Sequence, residues 1–398
     1  MTAADDQVRV VGRRDSDSIW TNPRVRGIAT QVILLVAIGW LAWEIIDNTI
    51  TNLQQRRIAS GYAFLNSTAG FDIVQKLIPY SEVSSYGRAF LVGLVNTLLV
   101  AGLGIIAATV LGFIIGIMRL SNNWLLRKIA VGYVEIIRNI PLLLQLFVWY
   151  RAVLKAMPGP RQSHVFADLF FLNNRGLYMP APIFGDQIMW TGIALIAGLV
   201  GGLLYIRHAR RVQEETGQIL PRASVFFGLF LGLPILALLI TGFPVSLDYP
   251  QLQGFNFVGG FNVIPEFIAL FLGLTIYTAS FIAEVVRAGI QAVNKGQTEA
   301  AQALGLQPGQ TLKLIVIPQA MRVIIPPLAN QYLNLTKNSS LAVAIGYPDV
   351  VATGGTVLNQ TGQAVEVISL WMAVYLTLSL LTSGFMNWFN ARVALVGR

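Results

Sequence analysis

Long apolar stretches alternate with short polar segments along most of this chain, and that alternation predicts helices that cross a membrane. About 20 consecutive apolar residues are enough for a helix to span the hydrocarbon core of a bilayer. Tilted or broken helices also qualify when protein or water satisfies their backbone groups. Eight stretches meet this requirement, at residues 28–47, 90–118, 132–154, 188–206, 224–242, 264–287, 319–342 and 366–389. We therefore predict an all-α membrane protein with about eight transmembrane helices.

The first apolar stretch is predicted to be a retained anchor rather than a signal peptide. It begins deep in the chain, lacks a small-residue cleavage site, and carries Trp40 and Trp43 toward its far end. Aromatic residues of this kind are typical of the membrane interface. The preceding tail is then expected to stay in the cytoplasm.

Lys and Arg residues set the predicted orientation, because loops on the cytoplasmic side of a membrane are enriched in them. They collect before the first span, after the second and after the fourth: Arg9, Arg13, Arg14, Arg24, Arg26, Arg119, Arg127, Lys128, Arg207, Arg210, Arg211 and Arg222. The opposite loops contain fewer, and 243–263 contains none. With an even number of spans, both termini and the loop 288–313 are predicted to be cytoplasmic.

Composition excludes several other classes of protein. Hydrophobic residues make up 55% of the chain and charged residues only 12%, which does not fit a soluble globular domain. There is no cysteine, and His164 and His208 are the only histidines, so redox or metal chemistry is not expected. The net charge of +9 lies beside apolar stretches rather than on one basic surface, which argues against nucleic-acid binding.

One polar segment between two predicted spans has the features of a docking helix. It reads Glu-Ala-Ala-Gln-Ala-Leu-Gly over 299–305. Thr298 is expected to cap this helix, Glu299 to lie at its positive end, and Gly305 to end it in a left-handed turn. A helix about 10 Å long results, at 1.5 Å per residue. Its small alanine side chains would allow close approach to a groove on another protein.

This segment resembles the EAA loop of ABC importer permeases. The matching positions are Glu299, Ala300, Ala301, Gly305, Ile315 and Pro318, while Ile317 replaces the usual Leu. Further matches at 134–145, 283–289 and 336–341 resemble the histidine/glutamate/glutamine/arginine branch of these permeases. An extra first span and a two-span insertion at 188–242 make the chain most similar to the permease subunits of general L-amino acid transport systems.

The resemblance implies a type I ABC importer permease fold and a division of the chain. The expected parts are a cytoplasmic tail 1–27, an anchor span and periplasmic loop 28–86, the first part of the permease core 87–155, an insertion with two spans 156–262, the second part of the core 263–390 with the coupling loop 288–318, and a tail 391–398. The expected location is the bacterial inner membrane.

The resemblance also implies partners, because no GxxxxGK[ST] phosphate-binding sequence occurs in the chain. ATP is expected on two copies of a separate cytoplasmic ATPase, with no cofactor on this chain, which is not an enzyme by itself. A second permease, making a heterodimer, and a periplasmic amino-acid-binding protein complete the expected importer. Alternating access would then carry polar L-amino acids of broad range across the membrane.

Other polar residues allow two interpretations each. Glu135 with Arg138 and Glu284 with Arg287 have the spacing of local ion pairs, which is the favoured interpretation, but they could also brace the coupling loop. A substrate path is the functional interpretation of five polar residues within the spans, and helix–helix contact is the favoured one. These residues are Gln145, Asn330, Gln331, Asn334 and Lys337.

Proline positions predict kinks or breaks in the spans. Pro141 is expected where an amphipathic helix turns into the third span, and Pro318, Pro326 and Pro327 remove backbone donors from the seventh. A secondary transporter driven by an ion gradient is the main alternative function. Such proteins often carry a midplane carboxylate and repeated broken helices, and no repeat is evident here. A channel or scaffold would leave the Glu299 loop without a purpose.

Overall fold

The computed structural model describes residues 23–55 and 60–393. Most of both predicted tails, and residues 56–59, lie outside this range. The α-helices in the described ranges are α1 (Pro23–Gln55), α2 (Tyr86–Arg119), α3 (Trp124–Asn139), α4 (Leu142–Phe147), α5 (Ile188–Thr216), α6 (Arg222–Ile240), α7 (Pro265–Gln291), α8 (Lys295–Ala303), α9 (Pro308–Thr311), α10 (Ile317–Asn338), α11 (Val350–Thr361) and α12 (Ala364–Val393). Two π-helical stretches, Val148–Leu154 and Leu312–Val316, continue α4 and precede α10.

Seven helical segments are long and apolar enough to cross a membrane, and an eighth span exists if a bent pair is counted as one. The bent pair is Trp124–Asn139 with Leu142–Leu154, whose axes differ by 103°. The predicted third span, 132–154, runs across this bend, so its limits are wrong. The bend occurs where expected: Ile140 is extended before Pro141, as a residue preceding proline prefers.

Eight short strands are a feature that the sequence analysis did not predict. They are β1 (His164–Phe166), β2 (Phe170–Asn173), β3 (Gly176–Met179), β4 (Ala181–Phe184), β5 (Val245–Asp248), β6 (Gln251–Gln253), β7 (Asn256–Val258) and β8 (Phe261–Val263). One sheet has the order β1-β2-β3-β8, and the other strands form the antiparallel pairs β4-β5 and β6-β7. Strands before α5 therefore pair with strands after α6, which closes the base of the inserted α5–α6 hairpin.

The centre of the bundle is a close contact between α2 and α7, made possible by glycine. A Cβ on Gly112 would lie 2.6 Å from Ile282, and a Cβ on Gly116 would lie 2.8 Å from Val286. Gly289 of α7 allows α10 to approach equally closely, because a Cβ at this position would clash with Ile324 of α10. These contacts bury apolar side chains without leaving room for larger residues. We call the end of the bundle that carries α8 the coupling end.

A second apolar cluster closes the opposite end of the bundle. The segment 60–86 lies over α2, α11 and α12 there and buries Phe64, Tyr80 and Tyr86. Its backbone is fixed to α12, because Gly61 N donates to Glu366 Oε1 at 2.7 Å. The loop that follows the anchor span is thus part of the folded core.

The α5–α6 hairpin and α1 present most of their surface outward. Gly198 and Gly202 form the seam of the hairpin against Leu229 and Phe226. In an apolar stretch of 18 residues taken from each helix, 11% of the residues are buried in α5, 6% in α6 and none in α1. Faces this apolar are suited to lipid.

Candidate coupling site

The coupling site is built around α8, which begins earlier than the sequence analysis predicted. The side chain of Asn294 accepts a hydrogen bond from Gly296 N at 2.8 Å and caps the helix. Thr298 is therefore not the cap, and that prediction is wrong. The nine residues of α8 make a helix about 14 Å long at 1.5 Å per residue. Glu299 lies beyond the first turn, where the helix dipole has little effect.

Gly305 ends α8 as predicted, in a left-handed conformation with φ of 76°. Its N–H donates to the carbonyl of Gln302 at 2.9 Å, and the N–H of Leu306 donates to the carbonyl of Ala301 at 3.1 Å. This pair of hydrogen bonds is a Schellman motif. A Cβ at Gly305 would meet nothing within 4 Å, so the backbone angle alone favours glycine.

The two faces of α8 differ sharply in exposure. Ala301 is 3% exposed and faces the protein. Glu299, Ala300 and the neighbouring Ala303 are exposed, and Leu304 at the tip is 81% exposed. On α8 and its C-terminal turn, Leu304 is an exposed residue that the sequence analysis did not single out. Its signal was present in the sequence, as a large apolar residue between polar segments next to the glycine.

The protein-facing side of α8 is attached to the start of α10. Gln319 Nε2 donates to Gln297 Oε1 at 3.4 Å. Ile315 lies in the π-helical stretch and Pro318 in the first turn of α10, and both are half-buried. A proline is tolerated in a first turn because the missing N–H has no partner to lose there. The helix α8 is therefore connected to a membrane span without a long flexible linker.

Charged side chains join α7 to α2 near the coupling end. Arg287 Nε lies 3.2 Å and 3.3 Å from the two carboxylate oxygens of Glu284, so the predicted local pair is present. Arg119 at the end of α2 also donates to Glu284. The sequence analysis used Arg119 only to predict the orientation in the membrane. Its contact with Glu284 could not be predicted, because the two residues are 165 positions apart in the sequence.

The other predicted ion pair, Glu135 with Arg138, does not form between these described residues. The guanidinium of Arg138 lies over the ring of Phe281, 4.8 Å from its centroid, and Glu135 is exposed. The local-pair prediction is wrong because an aromatic face on α7 attracts the cation instead. Tyr133 adds a hydrogen bond from its hydroxyl to the carbonyl of Ile276 at 2.6 Å. Both contacts attach α3 to α7.

The five candidate residues of the substrate path differ in how far they are exposed. Gln145 is buried, and its Nε2 donates to the carbonyls of Ile137 and Ile140, each at 2.9 Å. It thereby satisfies backbone groups that the break at Pro141 leaves free. Gln331 is half-buried on α10.

The remaining three, Asn330, Asn334 and Lys337, are exposed on one face of α10. Their spacing of four and three residues places them in a stripe. A cavity of about 260 Å³ lies between α10 and α12, and of the three stripe residues Asn330 lines it. Asn330, Ser383, Asn387 and Asn390 contribute its polar side chains. Asn387 and Asn390 were not identified from the sequence.

Sequence comparisons with known proteins show which family this chain belongs to. A family model described as the binding-protein-dependent transport system inner membrane component matches residues 222–395. The chain is 52% identical over 377 residues to the general L-amino acid transport system permease protein AapQ of Rhizobium johnstonii, covering 95% of this chain and 94% of that protein. This chain belongs to the amino acid ABC transporter permeases. Two further permeases confirm the placement.

The first of these is the putative amino-acid ABC transporter permease protein YhdX of Escherichia coli, 52% identical over 95% of this chain and 97% of its own length. The second is the glutamate/glutamine/aspartate/asparagine transport system permease protein BztB of Rhodobacter capsulatus, 43% identical over 94% and 95%. The ABC permease is thus a membrane subunit of an ATP-driven amino acid importer and is not itself catalytic. Nothing supports the ion-gradient alternative.

Proposed function

We propose that α8 is the element through which this permease is driven by a separate ATPase. The observation that carries the proposal is the contrast between its two faces. Glu299, Ala300 and Leu304 are exposed, whereas Ala301 is buried against the protein. A short helix fixed on one side and open on the other fits a groove on a partner. ATP would bind to two copies of that ATPase, and this chain would hold no cofactor.

The proposed orientation places α8 and both termini in the cytoplasm and the segment 60–86 in the periplasm, with the protein in the bacterial inner membrane. The distribution of Lys and Arg supports it. The matching family model is described as an inner membrane component, which is consistent with it. The remaining proposed partners are a second permease and a periplasmic binding protein.

The proposed substrates are polar L-amino acids of broad range. The names of two relatives, a general L-amino acid permease and a glutamate/glutamine/aspartate/asparagine permease, support this range. We assign the path to the stripe of Asn330, Asn334 and Lys337, because exposed polar side chains are costly against lipid and favourable beside water or substrate. Gln145 supports the helix break instead.

The proposed permease core consists of 87–155 and 263–390, with 156–262 as an insertion. The contacts of α2 with α7, and of α7 with α10, lie entirely within the two core parts. The α5–α6 hairpin packs through its own glycine seam. A core that forms its central contacts without the inserted helices supports this division.

Copurification from the native host tests the proposal. The tagged chain is extracted in mild detergent, and the proteins that accompany it are identified by mass spectrometry. We expect an ATPase and a second permease, and we expect Glu299→Lys to reduce recovery of the ATPase by reversing the charge on the exposed face. Glu215→Lys, exposed near the end of α5, is the matched control. Recovery of the chain alone, in a preparation that transports amino acids without ATP, would overturn the proposal.

A further inference from the structure

A cavity of about 420 Å³ lies at the end of the bundle opposite α8 and belongs to none of the sites described above. Three segments meet around it. They are the loop residues 71–74, the beginning of α7 at Ile264 and Glu266, and a stretch between Gly346 and Thr356. This volume exceeds that of a single amino acid and is comparable with small-ligand pockets.

One carboxylate in this cavity is held in place through only one of its oxygens. Tyr150 donates its hydroxyl proton to Glu266 Oε1 at 2.8 Å, and Lys155 Nζ lies 3.3 Å from the same oxygen. Among the described residues no donor reaches Oε2. Glu266 also lies in the first turn of α7, where the helix dipole favours a negative charge. An oriented carboxylate with a free oxygen is a good acceptor for an ammonium group.

Each carboxylate in the cavity wall is paired with a lysine. Asp72 lies 2.8 Å from Lys76, and the hydrogen bond from that lysine holds the pKa of the Asp72 carboxyl below its usual value. The ammonium group of Lys155 lies 3.3 Å from Glu266 Oε1 and balances the charge of that carboxylate. The cavity wall thus contains two carboxylates, each paired with a lysine that lies outside the wall, together with apolar residues such as Phe71. A zwitterion satisfies such a site better than an ion of either sign.

We propose that this cavity is a receiving site for a neutral, zwitterionic α-amino acid, whose ammonium group binds Glu266 Oε2. The inference rests on the proposed orientation, in which the cavity opens to the periplasm, and it names a site separate from the α10 stripe. Lys155 Nζ and Lys76 Nζ, which lie 3.3 Å and 2.8 Å from the two wall carboxylates, supply the positive charge that favours the ligand carboxylate. Acidic amino acids bind less well, because Asp72 and Glu266 repel an additional negative charge.

The lack of cysteine in this chain allows a direct test. Thr356 lines the cavity and is half-buried, so Thr356→Cys places one thiol at the site. The purified protein, with whatever copurifies with it, is reconstituted in nanodiscs without ATP, and alkylation of this chain by a maleimide is followed by intact mass. Val165→Cys, on an exposed position of β1, is the control.

We expect millimolar L-glutamine to slow alkylation at Thr356→Cys by about fivefold or more and to leave Val165→Cys unchanged. L-Glutamate should protect less well. Adding Glu266→Gln should raise the half-protecting concentration of L-glutamine by about tenfold, since a charge-assisted hydrogen bond is lost while the bond from Tyr150 can persist. Adding Asp72→Asn should improve protection by L-glutamate.

Two results would overturn the inference. One is an unchanged alkylation rate at Thr356→Cys in saturating L-glutamine. The other is protection that Glu266→Gln does not weaken. Neither result affects copurification of the ATPase, and loss of copurification does not affect protection, so failure of this site and failure of the coupling proposal are distinguishable.

Discussion

Arg119 on α2 donates to the carboxylate of Glu284 on α7, and the same carboxylate accepts from Arg287. One carboxylate therefore joins two spans near the point where α7 leads into α8. The side chain of Arg119 is only 11% exposed. Movement of α8 toward or away from its partner is expected to reach α2 through this contact, because α2 and α7 are also tightly packed beside it.

Arg119→Met should reduce amino acid uptake severalfold while leaving recovery of the ATPase unchanged. Removing one partner leaves Glu284 with a single cation, at a cost of about 1–3 kcal/mol for a partly buried charged hydrogen bond. Uptake of labelled amino acid in a strain lacking the native gene measures the effect. Lys128→Met, exposed on α3, serves as the control. A normal uptake rate in Arg119→Met would show that the contact is not needed for coupling.

Gly305 gives a prediction based on backbone conformation alone. Gly305→Val should uncouple uptake, because a β-branched residue strongly disfavours φ of 76°. Gly305→Asn should retain most of the activity, since asparagine tolerates the left-handed region. Both variants should insert normally into the membrane, as shown by the amount of protein in the membrane fraction.

The control for this pair is Gly309→Val, at a glycine that has a negative φ and an open surrounding. Full uptake by Gly305→Val would contradict the assigned role. So would equal losses in the valine and asparagine variants.

Leu304 is expected to contribute most of the apolar contact with the ATPase. It is 81% exposed at the tip of the loop, and burying a leucine side chain is worth about 1.5–3 kcal/mol. Leu304→Ser should therefore weaken ATPase recovery by about tenfold or more. Ile219→Ser is a matched control, because Ile219 is 82% exposed in the turn between α5 and α6. Equal recovery with both variants would remove Leu304 from the interface.

The sequence predicted the local features of this site better than the distant ones. Seven of the eight predicted spans, the left-handed Gly305 and the break at Pro141 all depend on neighbouring residues, and the structure contains each of them. The cap at Thr298 failed because Asn294 offered a competing cap four residues earlier. Glu135 failed to pair with Arg138 because the nearby Phe281, distant in sequence, bound the cation.

Features made by distant segments could not be predicted from one sequence. The strand β3 pairs with β8 across the whole α5–α6 hairpin, so Leu177 lies opposite Val263. Each strand is too short to show a clear alternating pattern. The Arg119–Glu284 contact and the cavity beside Glu266 also depend on the packed arrangement of spans.

The glycine contact between α2 and α7 gives a final prediction about stability. Gly112→Ala places a Cβ 2.6 Å from Ile282, which requires the helices to shift and should cost about 1–3 kcal/mol. Thermal unfolding of the detergent-solubilised protein should occur several degrees lower. Gly228→Ala on α6 should not lower it, because a Cβ there meets nothing within 4 Å. Combining Gly112→Ala with Ile282→Ala should not restore the loss, because the Cβ of residue 282 itself lies 2.6 Å from the new methyl group. An unfolding temperature for Gly112→Ala equal to that of Gly228→Ala would show that α2 and α7 are not held at this distance.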